Sequence, residues 1–236
     1  MNKNLKYLQN IFLLLMMGFS LCAVQACSDD DDESNVLENG NLLVDGHEAV
    51  DLGLSVKWAT CNVGAYNPED YGEYYAWGET KEKSDYRYDN YKWYDSENRV
   101  YTKYNEEMDG KTVLDPSDDV ATVKWGKKWR MPTKKEIDEL VDKCTWKWTT
   151  RNYVNGYVIY GPSGKSIFLP AAARYTGDLF YDDAMDGYYR SSTSREDDLS
   201  CDAYFLYFYN DSQGWYDYYR DYANRVEGYS VRPVTK

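Results

Sequence analysis

Across residues 47–60, apolar and polar positions alternate. Val50, Leu52, Leu54, Val56 and Trp58 fall two apart, the period of a strand or strand pair with one buried face. A second short aromatic strand is expected over residues 71–77. The period changes at Thr133, which stands three residues before Glu136 and directly after Pro132, as in a capping box at a helix start. Ile137, Leu140, Val141 and Cys144 then follow at i, i+3, i+4 and i+7, one apolar helix face. A shorter helix is expected within 116–124. From Thr145 short strands return: an Asn155-Gly156 pair suits a type I′ hairpin turn, and residues 157–160, the turn Gly161-Pro162-Ser163-Gly164 and residues 167–169 continue a meander. Two more strands are expected near 203–208 and 229–234. One good helix among many short strands predicts an α+β or β-rich domain. Residues 79–112 are polar and tyrosine-rich with no sustained period, and an excursion of that length is usually functional.

The first 26 residues carry a different pattern. Lys3 and Lys6 precede an apolar stretch over residues 11–24, with Ala26 before Cys27, which reads as a secretory signal peptide over 1–26. The stretch is shorter than the ~20 residues that span a bilayer. Val24-Gln25-Ala26-Cys27 resembles a loose bacterial lipobox, in which the cysteine is acylated and becomes the mature N-terminus. Ser28-Asp29-Asp30-Asp31-Asp32-Glu33 then opens a self-repelling acidic tether over 27–40, with the folded domain expected over 41–236. Such an acidic run after the cysteine resembles the surface-export signal of Bacteroidota lipoproteins.

Charge narrows the partners. The chain carries −13, and loss of the signal, which holds two lysines and no acids, takes it to −15. Nucleic-acid affinity needs cations against phosphates, so nucleic acid is excluded as a partner, and membrane contact is expected through the lipid alone. A single histidine, His47, leaves little room for multi-histidine metal sites. After the signal, Cys27, Cys61, Cys144 and Cys201 remain, too widely spaced for zinc or thioredoxin-like pairs. With Cys27 acylated, one internal disulfide is conceivable, and free buried thiols are the alternative.

Four blocks carry a family resemblance: residues 50–65 (VDLGLSVKWATCNVGA), 125–133 (WGKKWRMPT), 166–172 (SIFLPAA) and 230–234 (SVRPV). In this order they resemble the Fibrobacter succinogenes major paralogous domain, abundant in Bacteroidota lipoproteins, over residues 47–234. The central block also resembles, more distantly, the formylglycine-generating-enzyme group. The resemblance implies a C-type-lectin-like α+β fold with the termini brought together and a large irregular loop region. It further implies an outer-membrane, cell-surface location. One departure stands out: Gly187-Tyr188-Tyr189 leads to Arg190 before Ser191-Ser192, where the family usually has tryptophan. That exchange reads either as a tolerated packing change or as an altered binding floor.

Enzyme chemistry finds little support. The formylglycine-generating group uses a cysteine pair late in the chain, and only Cys201 lies in the last third. There is no G-x-S-x-G elbow, and Gly164-Lys165-Ser166 lacks the earlier glycine of a phosphate loop. No cofactor is expected. Calcium is the one alternative, through Asp178, Asp182, Asp183 and Asp186 or through Glu196, Asp197 and Asp198, neither cluster having EF-hand spacing. Binding is the better expectation. The segment 204–222 is rich in Tyr, Trp, Asn, Asp and Arg, residues that give binding loops large contact area for few lost rotamers. Tyr209, Asp211, Trp215, Tyr216, Tyr218, Tyr219, Arg220 and Tyr222 are the candidate ligand-binding residues, in a loop over 209–224 extended by Arg190. The expected ligand is an extracellular protein or glycan. In C-type-lectin-like proteins this segment can be rewritten by diversity-generating retroelements, and its composition is compatible with that. A structural or adhesive envelope component is the alternative function, and a degenerate formylglycine-generating-like enzyme the third.

Overall fold

The computed structural model describes residues 35–105, 108–195, 201–210 and 216–236, and for 216–222 the strand path alone. Cys27 and the tether residues before 35 lie outside the described residues. The first sheet is β1 (Asn35–Val36), β2 (Leu42–Val44), β3 (His47–Val50) and β4 (Lys57–Ala59) in that order, all antiparallel. The strand pair expected over 47–60 is therefore present. β1 and the turn after it occupy residues that the charge pattern assigned to the tether.

The excursion holds a 3-10 turn at Tyr88–Asn90 and a small hairpin of β5 (Tyr94–Asp95) and β6 (Val100–Tyr101). Residues 71–77 form no strand. They make one bridge, Tyr75 to Tyr229, between Gly72 and Gly78, both at positive φ, where the chain bends. Helix α1 (Val120–Trp125) follows, capped by Asp119, whose side chain accepts from Thr122 N. Helix α2 (Lys134–Lys143) has the expected capping box: Thr133 accepts from Glu136 N while the Glu136 carboxylate accepts from Thr133 N. Its Ile137 and Leu140 are buried, and Val141 and Cys144 pack partly against the same core.

β7 (Thr145–Arg151), β8 (Val154–Tyr160) and β9 (Ser166–Pro170) form the expected meander. Its first turn lies elsewhere than the Asn-Gly pair suggested. Asn152 and Tyr153 occupy it, at φ 47° and 67°, and Asn155-Gly156 sit inside β8. Gly156 is needed where backbones meet: a Cβ there would lie 2.2 Å from the Leu169 carbonyl oxygen.

A hairpin of β10 (Arg174–Thr176) and β11 (Leu179–Tyr181) precedes the third sheet, β12 (Asp186–Ser194), β13 (Asp202–Asn210) and β14 (Tyr216–Asn224). The loop expected over 209–224 is thus a long hairpin, with continuous register from Asp202↔Asn224 to Asn210↔Tyr216. Its interspersed Asp, Asn and Arg hide the hydropathic alternation, while tyrosine suits a pleated surface well. Within 229–234 only Val234 belongs to a strand, β15 (Val234–Thr235), which pairs with β4 through Val234↔Trp58.

The main core joins α2 to the sheets through Trp58, Leu140, Leu169 and Phe208. A second cluster surrounds Trp77 and Trp129. The four blocks singled out in the sequence build this frame. Trp129 is buried and donates to Val44 O at 3.0 Å, and Arg130 pairs with Glu136 of the capping box. Arg232, also buried, donates from Nε to Asn62 Oδ1 at 2.8 Å and from Nη1 to Ala59 O at 3.1 Å, tying the last block to the first. Cys61, Cys144 and Cys201 are free thiols, each part-buried.

Candidate functional site

The candidate site is a groove of about 710 Å³. That lies within the ~300–1,000 Å³ usual for ligand sites. One wall comes from the excursion, with Tyr86, Arg87, Tyr88 and Tyr94. The other is the β10–β11 hairpin, with Thr176, Asp178, Leu179 and Tyr181. Asp89, Ser96 and Arg99 add to the first wall, and Asn224 at the end of β14, with Val226 and Glu227 just after it, adds to the lining.

Backbone bridges hold the walls in place. Tyr86 N donates to Gly177 O at 2.8 Å, and Tyr175 and Gly228 exchange hydrogen bonds of 2.9 and 3.0 Å. Gly228 lets the chain pass flat over the Tyr86 ring, since a Cβ there would fall 2.6 Å from its Cζ. The Tyr86 hydroxyl donates to Tyr74 O at 2.8 Å, and burial pushes its pKa far above the ordinary range, so it stays a protonated donor. Tyr86 stacks on Tyr175 at 5.4 Å, and Tyr88 tilts against Tyr94 at 5.2 Å. These contacts fix two faces of a tyrosine-lined slot whose outer rings are open: Tyr88 is 41% and Tyr181 49% exposed.

Polar groups alternate with these rings. Arg87 Nη2 donates to Asp178 Oδ1 at 2.8 Å across the groove, and both side chains are more than half exposed. Asn224 Nδ2 donates to the Tyr88 hydroxyl. Glu227 accepts from Tyr229 OH at 2.5 Å and from Thr176 Oγ1 at 3.3 Å. The site therefore offers apolar ring faces beside a neutralised ion pair and part-engaged carboxylates.

The expected site residues divide. Arg190 does not extend an exposed patch: it is 0% exposed, because β12 is buried along both faces from Gly187 to Ser194. Its Nη2 donates to Asn224 O at 2.7 Å and Glu227 O at 2.9 Å, and its guanidinium lies 4.0 Å from the Tyr229 ring centre. Burial pulls its pKa below the ordinary value. Arg190 thus braces the groove lining from behind. Tyr209 lies part-exposed on β13, stacked on Tyr207 at 5.8 Å. Tyr216, Tyr218, Tyr219, Arg220 and Tyr222 belong to β14, and Tyr218 pairs in register with Phe208. Their side chains, with Asp211 and Trp215, lie outside the described residues.

The groove walls were not among the expected site residues. The signal was available: residues 85–101 repeat the Tyr, Asp, Asn and Ser composition of the C-terminal segment, in an excursion long enough to imply function. No group of three or more His, Cys, Asp or Glu side chains gathers for a metal among the described residues. Asp178 faces Arg87, Asp182 and Asp183 accept from Ala184 N and Met185 N in tight turns, and Asp186 accepts from the Tyr188 and Tyr207 hydroxyls. Glu196, Asp197 and Asp198 lie outside the described residues. No family model, curated protein or solved structure matches the chain.

Proposed function

We propose that this chain is a non-catalytic ligand-binding module, held at the outer-membrane surface by lipid on Cys27 and binding an extracellular protein or glycan. The observation that carries the reading is the groove: open tyrosine rings set beside the Arg87–Asp178 pair, on walls fixed by backbone bridges. Rigid aromatic surface with adaptable polar neighbours gives contact area at low entropic cost. The C-terminal segment contributes Asn224, the last residue of β14, to the groove lining. The pairing of β15 with β4 and the capped helix agree with a C-type-lectin-like domain of the Fibrobacter succinogenes type, as the four blocks imply. The test is an array of glycans and extracellular proteins probed with the full chain and with Leu179→Asp. A ligand whose retention falls with that variant supports the reading; ligands all indifferent to it would remove the groove from function.

A structural or adhesive role is the second reading. Leu179, Phe180 and Tyr181 are exposed in succession on β11, a surface suited to self-association. Sedimentation of the purified chain over a concentration series would show it as a rising molecular mass.

A further inference from the structure

We infer that the groove takes a neutral glycan chain, with sugar rings laid on Tyr88 and Tyr181 and vicinal hydroxyls engaging the Arg87–Asp178 pair. This rests on the groove being the ligand site.

Three observations select that chemistry. The first is the rings. Tyr88 and Tyr181 stand on opposite walls with roughly half of each surface open. The C–H face of a pyranose is apolar and carries slight positive charge, so it pairs with the negative face of an aromatic ring. Tyrosine adds a hydroxyl at the ring edge, where sugar hydroxyls lie.

The second is the ion pair. A sugar diol both donates and accepts. Arg87 presents only donors and Asp178 only acceptors, held 2.8 Å apart and both exposed. Arg87 Nη1 also lies 3.5 Å from Asp85 Oδ2; the N–H groups and carboxylate lone pairs left over give capacity of both kinds on neighbouring atoms, and a diol can satisfy both without bringing a charge of its own. Asn224 adds an amide already oriented by Tyr88, and Arg190 fixes the Asn224 and Glu227 carbonyls behind it.

The third is charge. Two arginines in the lining, Arg87 and Arg99, face three carboxylates, Asp89, Asp178 and Glu227. The whole chain carries −13. A phosphorylated, sulfated or uronate ligand would enter against that field. A neutral chain meets no such penalty.

The experiment is calorimetry with the full-length protein. The probes are cellohexaose, xylohexaose, mannohexaose and laminarihexaose, with hexagalacturonate and a random hexapeptide pool as comparisons. The variants are Tyr88→Ala and Tyr181→Ala, with Tyr153→Ala, on the distant β7–β8 turn, as control. Melting curves confirm that all four proteins fold alike. The expected result is binding of at least one neutral hexasaccharide, weakened about tenfold or more by each groove variant and unchanged by Tyr153→Ala. Binding of only hexagalacturonate or peptides, with the same dependence on Tyr88 and Tyr181, would overturn the neutral-glycan assignment and leave the groove standing. Binding indifferent to both tyrosines, or no binding by any probe, would overturn the assignment and the groove together.

Discussion

Thr133 and Leu140 support the same helix through different physics. Thr133 satisfies a backbone N–H that the first turn leaves without a partner, so Thr133→Ala should cost about 1 kcal/mol. Leu140 is fully buried, and Leu140→Ala should cost roughly 2–5 kcal/mol through lost burial and the cavity left behind. Urea denaturation separates the two, and equal losses would mean the helix face has been misassigned. Glu139, on the same helix, sets an acid limit. Burial works to raise its pKa, but Lys143 at 2.7 Å and the Ser55 N–H at 2.9 Å overcome it and hold the carboxylate down at about 2. The folded state thus binds this proton more weakly than the unfolded chain does. Its stabilisation is present above the ordinary value of 4.5 and drains away as pH falls toward 2. Glu139→Gln should flatten the acid side of a plot of urea midpoint against pH in that window. Superimposable acid limbs for the two proteins would reject the assignment.

At the scale of elements, the β7–β8 hairpin gives two substitutions of opposite sign. Tyr153 is fully solvent-exposed at φ 67°, where a side chain is strained, so Tyr153→Gly should leave stability unchanged or raise it by up to about 1 kcal/mol. Gly156 has ordinary φ but no room, so Gly156→Ala should destabilise by roughly 1–3 kcal/mol. If the turn lay at Asn155-Gly156, Tyr153 would sit in a strand and Tyr153→Gly would destabilise instead, and thermal melts of both variants decide it. The same hairpin shows which elements are legible in sequence. Helix α2 and the meander are written locally, in a cap, a 3.6 period and short alternating runs. The Asn-Gly pair misleads because glycine answers two needs, a positive φ and a close backbone approach, and sequence does not say which. The groove is less legible still. Arg87 meets Asp178 and Tyr86 meets Gly177 across some ninety residues of chain, and no local period records such a meeting. The tyrosine composition of both segments was visible; their juxtaposition was not. Arg190 misled for a related reason: arginine is seldom buried without a carboxylate, and here it is held by backbone carbonyls and a ring.

For the whole molecule, the proposed anchor and the fold make separate demands. No described helix is long and apolar enough to cross a membrane. If lipid on Cys27 is the attachment, Cys27→Ala should move the protein from the membrane pellet to the soluble fraction, and equal retention of the variant would refute acylation as the anchor. The pairing of β15 with β4 has a consequence for biogenesis. Val234 lies against Trp58 and is bridged to Arg130, while Arg232 holds the carbonyls of the opening block. Protein that is threaded N-terminus first through a secretion pore delivers residues 57–62 long before 230–235. Until those last residues emerge, the first sheet lacks its edge and the core stays open, so the chain remains slack enough to thread. If the chain is exported in this way, folding is deferred to the far side of the membrane. A chain halted before Ser230 should accordingly be digested by protease at concentrations that spare the full-length form.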